Sequence, residues 1–293
     1  MLDSKINNLN QIKMKKILLF ALTAVVALSV TSCAEKKNDI KVISYNVRVN
    51  NEGDGENKWD LRKHASIAMI RDEKPTIFGL QEAKPEQMQY LVENLPEYGY
   101  IGVGREDGVS SGEHMTIFYL KDQVELLDGG TFWLSETPEE PSMGWDAACK
   151  RSCTWTKLRM KDTGKEFAYI NTHLDHESEM AQIEGMKLIS KKFEEYKGQM
   201  PLFLTGDLNI DSSHEALDAI KGYMKNARNY ANRKDNYGTT NGFESDTKTK
   251  QIDHIYYTKE LKNPVEYRTI KDPYNNVKFV SDHYPIYAII KLQ

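Results

Sequence analysis

The chain has 293 residues, 28% of them charged, and a formal net charge of −4. That balance argues against the basic face by which DNA-binding proteins release counterions. Three cysteines are too few for a disulfide-built scaffold or a cysteine-rich zinc fold, and the length suits one large domain.

Lys13, Lys15 and Lys16 precede an apolar run from Ile17 to Val30, which ends in Val30-Thr31-Ser32-Cys33. The run is shorter than the roughly 20 residues of a membrane-spanning helix. A basic start, a short apolar stretch and small residues before a cleavage point describe an export signal. Met14 is a better start than Met1, because natural signals rarely carry so polar a leader. The Cys after the small residues resembles the lipobox of bacterial lipoproteins. That resemblance implies a signal peptide over residues 1–32, a lipidated Cys33 as first mature residue and a tether over 33–39. An ordinary secretory signal with an incidental Cys is the alternative. The expected location is the cell envelope, with a lipid anchor in a bacterial membrane, by preference the outer one. The whole chain carries −4 and residues 1–32 carry +3, so the remainder carries −7. Cys149 and Cys153 could pair in an oxidising envelope or stand as unrelated thiols.

One folded domain is expected over residues 40–293. Ile40 to Val47 reads as a buried strand and Asn50 to Asn57 as a loop. Trp59 to Arg71 has a helical spacing of apolar residues (Leu61, Ala65, Ala68, Met69, Ile70), with Pro75 after its end. Thr76 to Leu80 reads as a strand and Lys84 to Leu95 as a helix. Strands follow at Tyr98 to Val103, Met115 to Leu120 and Val124 to Leu134. Ser135 to Lys150 is a long Pro- and Gly-containing loop between Trp133 and the next strand, of the kind that is functional or mobile. Cys153 to Met160 and Glu166 to Thr172 form a hairpin across Asp162-Thr163-Gly164. Glu177 to Tyr196 is the strongest helix. Met200 to Thr205 is a strand, His214 to Lys221 a helix and Asn232 to Asp246 a polar loop. Gln251 to Tyr257, Val265 to Ile270 and Tyr284 to Lys291 complete the strands. Strands outnumber helices and several are hairpin-joined, so two packed, mostly antiparallel sheets with helices outside are expected.

Polar residues close several of these strands. Glu82 follows Ile77-Phe78-Gly79-Leu80-Gln81, and a carboxylate there is costly to bury unless paired or metal-bound. Mg²⁺ prefers oxygen ligands and needs only one or two protein carboxylates. Glu82 is the first choice of ligand, with Asp282 and the Asn46 amide near the same ion; a helix N-terminal charge is the plainer reading of Glu82 alone. In Thr205-Gly206-Asp207-Leu208-Asn209, Asp207 and Asn209 sit two apart, on one side of an extended chain. One could hold a nucleophilic water and the other donate to a phosphate oxygen; a simple Asx turn is the alternative. His173, His254 and His283 stand out among the seven histidines. His283 is assigned as base or water orienter with Asp253 as its partner, and His173 as donor to a non-bridging oxygen. His173-Leu174-Asp175-His176 has a rival reading as a zinc site without the zincin context. His64, His114 and His214 read as surface or capping residues.

Together, Ser44-Tyr45-Asn46, Leu80-Gln81-Glu82, Asn171-Thr172-His173, Thr205 to Asn209, Ile252-Asp253-His254 and Ser281-Asp282-His283 resemble the endonuclease/exonuclease/phosphatase superfamily, from about Ile40 onward. The resemblance implies an α/β fold, a four-layer α/β/β/α sandwich of two mostly antiparallel sheets flanked by helices. It also implies Mg²⁺-dependent phosphoester hydrolysis by an activated water, with Mn²⁺ as alternative metal. Carried onto this chain it makes Glu82 the principal ligand, helped by Asn46 and Asp282. Asp207 would orient water, Asn209 and His173 bind phosphate, and Asp253–His283 form the acid/base dyad. Arg48 and Arg151 are candidates for a phosphate clamp, with a plain surface role as alternative.

The substrate stays open between a nucleic acid, a lipid phosphodiester and a small phosphate ester. The acidic mature chain speaks against a processive nuclease, and a monomer is expected. The rival class is a catalytically silent envelope lipoprotein that keeps the fold for binding.

Overall fold

The computed structural model describes residues 39–244 and 249–292. The expected signal over 1–32, the lipidation site Cys33 and tether residues 33–38 lie outside the described residues, as do Ser245 and Asp246. The chain runs β1 (Asp39–Asn46), α1 (Trp59–Glu73), β2 (Ile77–Gln81), α2 (Pro85–Asn94), β3 (Tyr98–Ile101), β4 (Ile117–Leu120), β5 (Val124–Trp133), β6 (Ser152–Met160) and β7 (Glu166–His173). It continues through α3 (Glu179–Lys192), β8 (Leu202–Asp207), α4 (Asp218–Lys221), β9 (Met224–Asn226), α5 (Ala227–Tyr230), β10 (Arg233–Lys234), β11 (Asp253–Thr258), β12 (Glu266–Thr269) and β13 (Ile286–Lys291).

Most elements fall within a few residues of expectation. Three short ones, β9, α5 and β10, lie where no element is predicted, and Glu52–Asn57 is a 3-10 helix rather than loop. The long helix is shorter than its apolar pattern, because the Ser178 side chain caps its start by accepting from Ala181 N at 3.1 Å. Glu194–Tyr196 then continues as a 3-10 turn. In α1, Leu61 faces solvent although the pattern placed it inside; the buried residues are Trp59, Arg62, Ala65, Ser66, Ile67, Met69, Ile70 and Glu73. Polar residues among them hide the amphipathic signal. Lys74 in left-handed backbone, its N–H bonded to Ile70 O, ends the helix just before Pro75.

The strands form two mixed sheets, ordered β10-β12-β13-β1-β2-β4-β3 and β5-β6-β7-β8-β11-β9. Contacts β1–β2, β7–β8 and β10–β12 are parallel and the others antiparallel. Three apolar cores separate four layers. The middle core joins the sheets through residues such as Val42, Ile77, Phe167, Phe203, Ile255 and Ile290. A second lies under α1 and α2, around Tyr45, Met69, Phe78 and Leu91. The third lies under α3 and α4, around Ile170, Met186, Leu204 and Ile220. This is the α/β sandwich the sequence implies. Strands β2 and β8 are buried on both faces because each has a sheet on one side and helices on the other.

Near the site the middle layer turns polar. Gln81 Nε2 donates to Asn171 Oδ1 at 2.7 Å, and Asn171 Nδ2 donates to Leu80 O at 2.8 Å, tying β7 to β2 across the sheets. Gly79 leaves the room for this: a Cβ there would stand 2.2 Å from Asn171 Oδ1 and 2.5 Å from Thr205 Oγ1. Gly79→Ala is expected to cost about 1–3 kcal/mol of unfolding free energy by overpacking this network. Urea denaturation checks it; a shift below about 0.5 kcal/mol would mean that the sheets part without cost.

Candidate active site

Strand direction gathers the polar residues. In parallel β1 and β2, Asn46 pairs with Gln81, and in parallel β7 and β8, His173 pairs with Asp207. Strand β11 runs against β8, so its first residue, Asp253, lies opposite Asp207. Strand β13 runs against β1, so the segment before it, with Asp282 and His283, reaches the same edge. Four strand ends and two strand starts from both sheets therefore open into one cleft of about 310 Å³.

Asn46 sits between the carboxylates. Its Nδ2 donates to Glu82 Oε1 at 2.8 Å and to Asp207 Oδ2 at 3.0 Å, while its Oδ1 accepts from Arg48 N at 2.9 Å. Val49 N donates to Glu82 Oε2 at 2.8 Å. Donor atoms of Glu82, His173 and Asp207 lie within 4.8 Å of one another, as do those of Asp207, Asp253 and His283. Asp282 stands outside both groups and meets Arg48 Nη1 at 3.3 Å. Arg48, Glu82 and Asn209, each one or two residues past a strand, all have left-handed backbone, with φ of 60°, 65° and 54°. That conformation is uncommon for non-glycine residues and costs free energy, most at Arg48 and Glu82, since Asn tolerates it better. Asn209 is therefore not on an extended chain. The turn puts its N–H on Asp207 Oδ1 at 3.0 Å and its Nδ2 at 3.0 Å from His173 Nε2, so the Asx turn and the polar contact coexist.

His283 Nδ1 lies 2.8 Å from Asp253 Oδ2 and 3.7 Å from Asp207 Oδ2. Burial alone would lower the pKa of this imidazole, but the Asp253 and Asp207 carboxylates raise it well above its ordinary value. Asp207 is also pushed up, first by desolvation and then by the like charge of Asp253. Asp282 is raised by desolvation and by Glu82, against the lowering effect of His283. Desolvation holds His173 well below the ordinary imidazole value, with Arg151 and Arg105 adding to the effect. Asp207 and Asp282 are thus raised despite the His283 imidazole beside them and, at Asp282, Arg48. Their hard oxygen donors, with one imidazole at hand, fit a divalent metal. Glu82, Asp207 and His173 or the neighbouring Asp282 and Asn46 could hold it.

Not every predicted site residue belongs here. His254 faces the other way, because side chains alternate along β11; its Nε2 meets Ile210 O at 2.9 Å and Asn226 Nδ2 meets its Nδ1 at 3.1 Å. His114 is buried rather than on the surface, with Nδ1 3.1 Å from Ala83 O. His214 caps a 3-10 turn through Ala216 N, and His64 is exposed. His173-Leu174-Asp175-His176 is not one metal site: His173 groups with Glu82 and Asp207, and His176 with Cys149 and Asp175. Asp175 is already engaged by the N–H groups of Ala148, Glu177 and Ser178 and by Arg151. Cys149 and Cys153 are both free.

Arg48 and Arg151 both line the cleft, so neither is a plain surface residue. Arg48 is spent on Asp54, at 3.0 and 2.9 Å, and on Asp282. Arg105 and Glu113 also line the cleft and were missed. Their loop has no motif, and only tertiary placement brings them in. Behind the site, Arg62 of α1 is buried and donates to four main-chain carbonyls: Val47, Arg48, Asn57 and Val280, at 2.5–2.9 Å. Gln87 of α2 donates to Arg48 O at 2.9 Å and accepts from Asn50 N at 2.8 Å.

An α/β sandwich with carboxylates, amides and imidazoles gathered at one end of its sheets is that of a metal-dependent phosphoesterase. The chain belongs to the Endonuclease/Exonuclease/phosphatase family, which matches residues 43–283. It is similar to a family member from Bacteroides vulgatus, 36% identical, TM-score 0.82, over 87% of this chain and 99% of that one. A mannosyl-6-phosphatase of Bacteroides thetaiotaomicron is also 36% identical, with TM-score 0.82 over 86% of this chain and 100% of that one. An uncharacterised protein of Acanthamoeba polyphaga mimivirus is 25% identical over 80% of this chain and 92% of its own length.

Arg62→Met would take the side-chain donor from Val47 O and Asn57 O and leave Arg48 O and Val280 O with one donor each, Gln87 and Tyr45. It is expected to cost at least about 2 kcal/mol of stability and to lower activity as the loops at 47–48 and 280 loosen. Denaturation midpoints and turnover, measured on one preparation, check both effects.

Proposed function

We propose that the chain hydrolyses a phosphate ester by in-line attack of a water activated at the strand-end cleft. The observation that carries this is the meeting of Asn46, Glu82, His173, Asp207, Asn209, Asp253, Asp282 and His283 at one edge of two sheets. Mg²⁺, or Mn²⁺, bound at Glu82 with Asn46 and Asp282 beside it would offset the phosphate's charge. Asp207 orients the water. Asp253 fixes the His283 ring through Nδ1 and leaves Nε2 for the proton traffic of the reaction.

His173 and Asn209 bind the phosphoryl oxygens. Their resting contact is mismatched. Asn209 Nδ2 donates to Leu174 O at 3.0 Å and points at His173 Nε2, while His173 Nδ1 is buried without a hydrogen-bond partner. A proton on Nδ1 is therefore orphaned, and a proton on Nε2 faces the Asn209 donor at 3.0 Å while the Asp207 Oδ2 acceptor stands further off, at 3.5 Å. An oxyanion that accepts from both groups relieves the conflict. The intact set of acid, amide and imidazole groups gives the silent-binding alternative no support. The mannosyl-6-phosphatase relative favours a small sugar phosphate over a polymer, in keeping with the acidic mature chain.

The experiment is a panel of p-nitrophenyl phosphate, bis-p-nitrophenyl phosphate, mannose 6-phosphate, supercoiled DNA and sphingomyelin, with Mg²⁺ or Mn²⁺ and with chelator. Glu82→Ala and His283→Ala should each reduce turnover at least about a hundredfold, and chelator should abolish it. Wild-type-like turnover in either variant would contradict the assigned roles.

Export and lipid attachment at Cys33 belong to the same proposal. The support is Lys13, Lys15 and Lys16 before the apolar run, and the small residues before Cys33. Cys33→Ser should move the protein from the membrane to the soluble fraction; retention in the membrane would count against lipidation.

A further inference from the structure

The cleft has a basic wall that the hydrolytic groups do not use. Arg151 is buried there, its side chain 5% exposed. Its Nε lies 3.3 Å from Asp175 Oδ2, and Asp175 is itself held by three main-chain N–H groups. Its Nη2 lies 2.8 Å from His176 Nδ1. Its Nη1 has no hydrogen-bond partner among the described residues. Arg105 stands on the same wall, its side chain 12% exposed, paired through Nη1 and Nη2 with Glu113 at 2.8 and 3.1 Å. Its Nε is buried without a hydrogen bond and stands 3.6 Å from Glu106 Oε1. Arg105, Arg151 and His173 line the same cleft, so this wall shares the space with the imidazole proposed to bind the phosphoryl group.

Arg48, at the acidic end, has its three nitrogens committed to Asp54 and Asp282. Arg151 is different. It is braced at two nitrogens, buried, and keeps an N–H for something that enters the cleft. Burying a guanidinium costs several kcal/mol unless its hydrogen bonds are filled, and its planar fork suits phosphate oxygens. A second ester substituent would set carbon against that N–H and leave it buried and unpaired.

We propose that Arg151, braced by Asp175 and His176 and backed by Arg105, binds the terminal oxygens of the phosphoryl group and makes the substrate a phosphomonoester rather than a diester. The proposal rests on the phosphoesterase reading above. A monoester has three non-bridging oxygens. His173 and Asn209 serve one side of the phosphoryl group and the acidic end another. Arg151 serves the oxygen that a diester would lose to its second substituent.

The test compares p-nitrophenyl phosphate with bis-p-nitrophenyl phosphate, which share a leaving group and differ in the second substituent. The wild type should show the higher kcat/KM for the monoester, and in Arg151→Met the ratio of the two should fall at least tenfold. An unchanged ratio in a folded Arg151→Met, or a wild type that prefers the diester, overturns the proposal. Since Arg151→Met could fail to fold, the second measurement uses the wild type alone. Inorganic phosphate should bind at least ten times more tightly than dimethyl phosphate by calorimetry; equal binding overturns the proposal. If phosphate binds with this preference and no ester is hydrolysed, the clamp stands and the hydrolytic reading is what fails.

Discussion

Crowded negative charge is the constraint on which this molecule is built. Asp207, Asp253, Glu82 and Asp282 approach one another in one cleft, where burial and the neighbouring carboxylates disfavour ionisation of Asp207 and Asp282. A fold bears such repulsion only where surrounding groups hold the charges and a cation answers them. The Asn46 amide spans two of the carboxylates, His283 pairs with a third, and Arg48 meets the fourth. The remaining excess of oxygen donors is what suits the site to a divalent ion.

The outer layers serve the same cleft from behind. Arg62 carries α1's hold on Val47, Arg48 and Val280, and Gln87 carries α2's hold on Arg48 and Asn50. Tyr45 adds a bond to Val280 O at 3.0 Å and shares a contact with Ser66 at 2.7 Å. Helices that look like packing material thus fix the loops from which Arg48 and Asp282 project. A polar residue on a buried helix face weakens the apolar pattern, and here that weakness marks where the helix does more than pack.

Much of this was legible in the residues themselves. Glu82, Asp207, Asp253, His173 and His283 were identifiable because each ends or begins an apolar strand, where a titratable group has no packing reason to be. The period of two explains the misplaced histidine: Asp253 and His254 cannot share a face, and the acid has the cleft. The short elements β9, α5 and β10 were illegible, since two to four residues carry no periodicity and exist only through their neighbours. Arg105 and Glu113 were missed for a related reason. They lie between Gly104 and Gly112 or just beyond, in a segment shaped by turns, and their role depends on a wall contributed by Arg151 from another part of the chain. Arg151 was identifiable as a candidate, but its burial was not.

The left-handed residues at the strand exits bear on how such a protein can change. At Arg48, Glu82 and Asn209 a glycine would relax the main chain, yet it would also delete the side chain that reaches into the cleft. These three positions therefore set a floor under the cost of keeping the reaction. A lineage that has abandoned the chemistry should show glycine there first, and a laboratory search for heat-resistant variants that retain turnover should find its gains elsewhere.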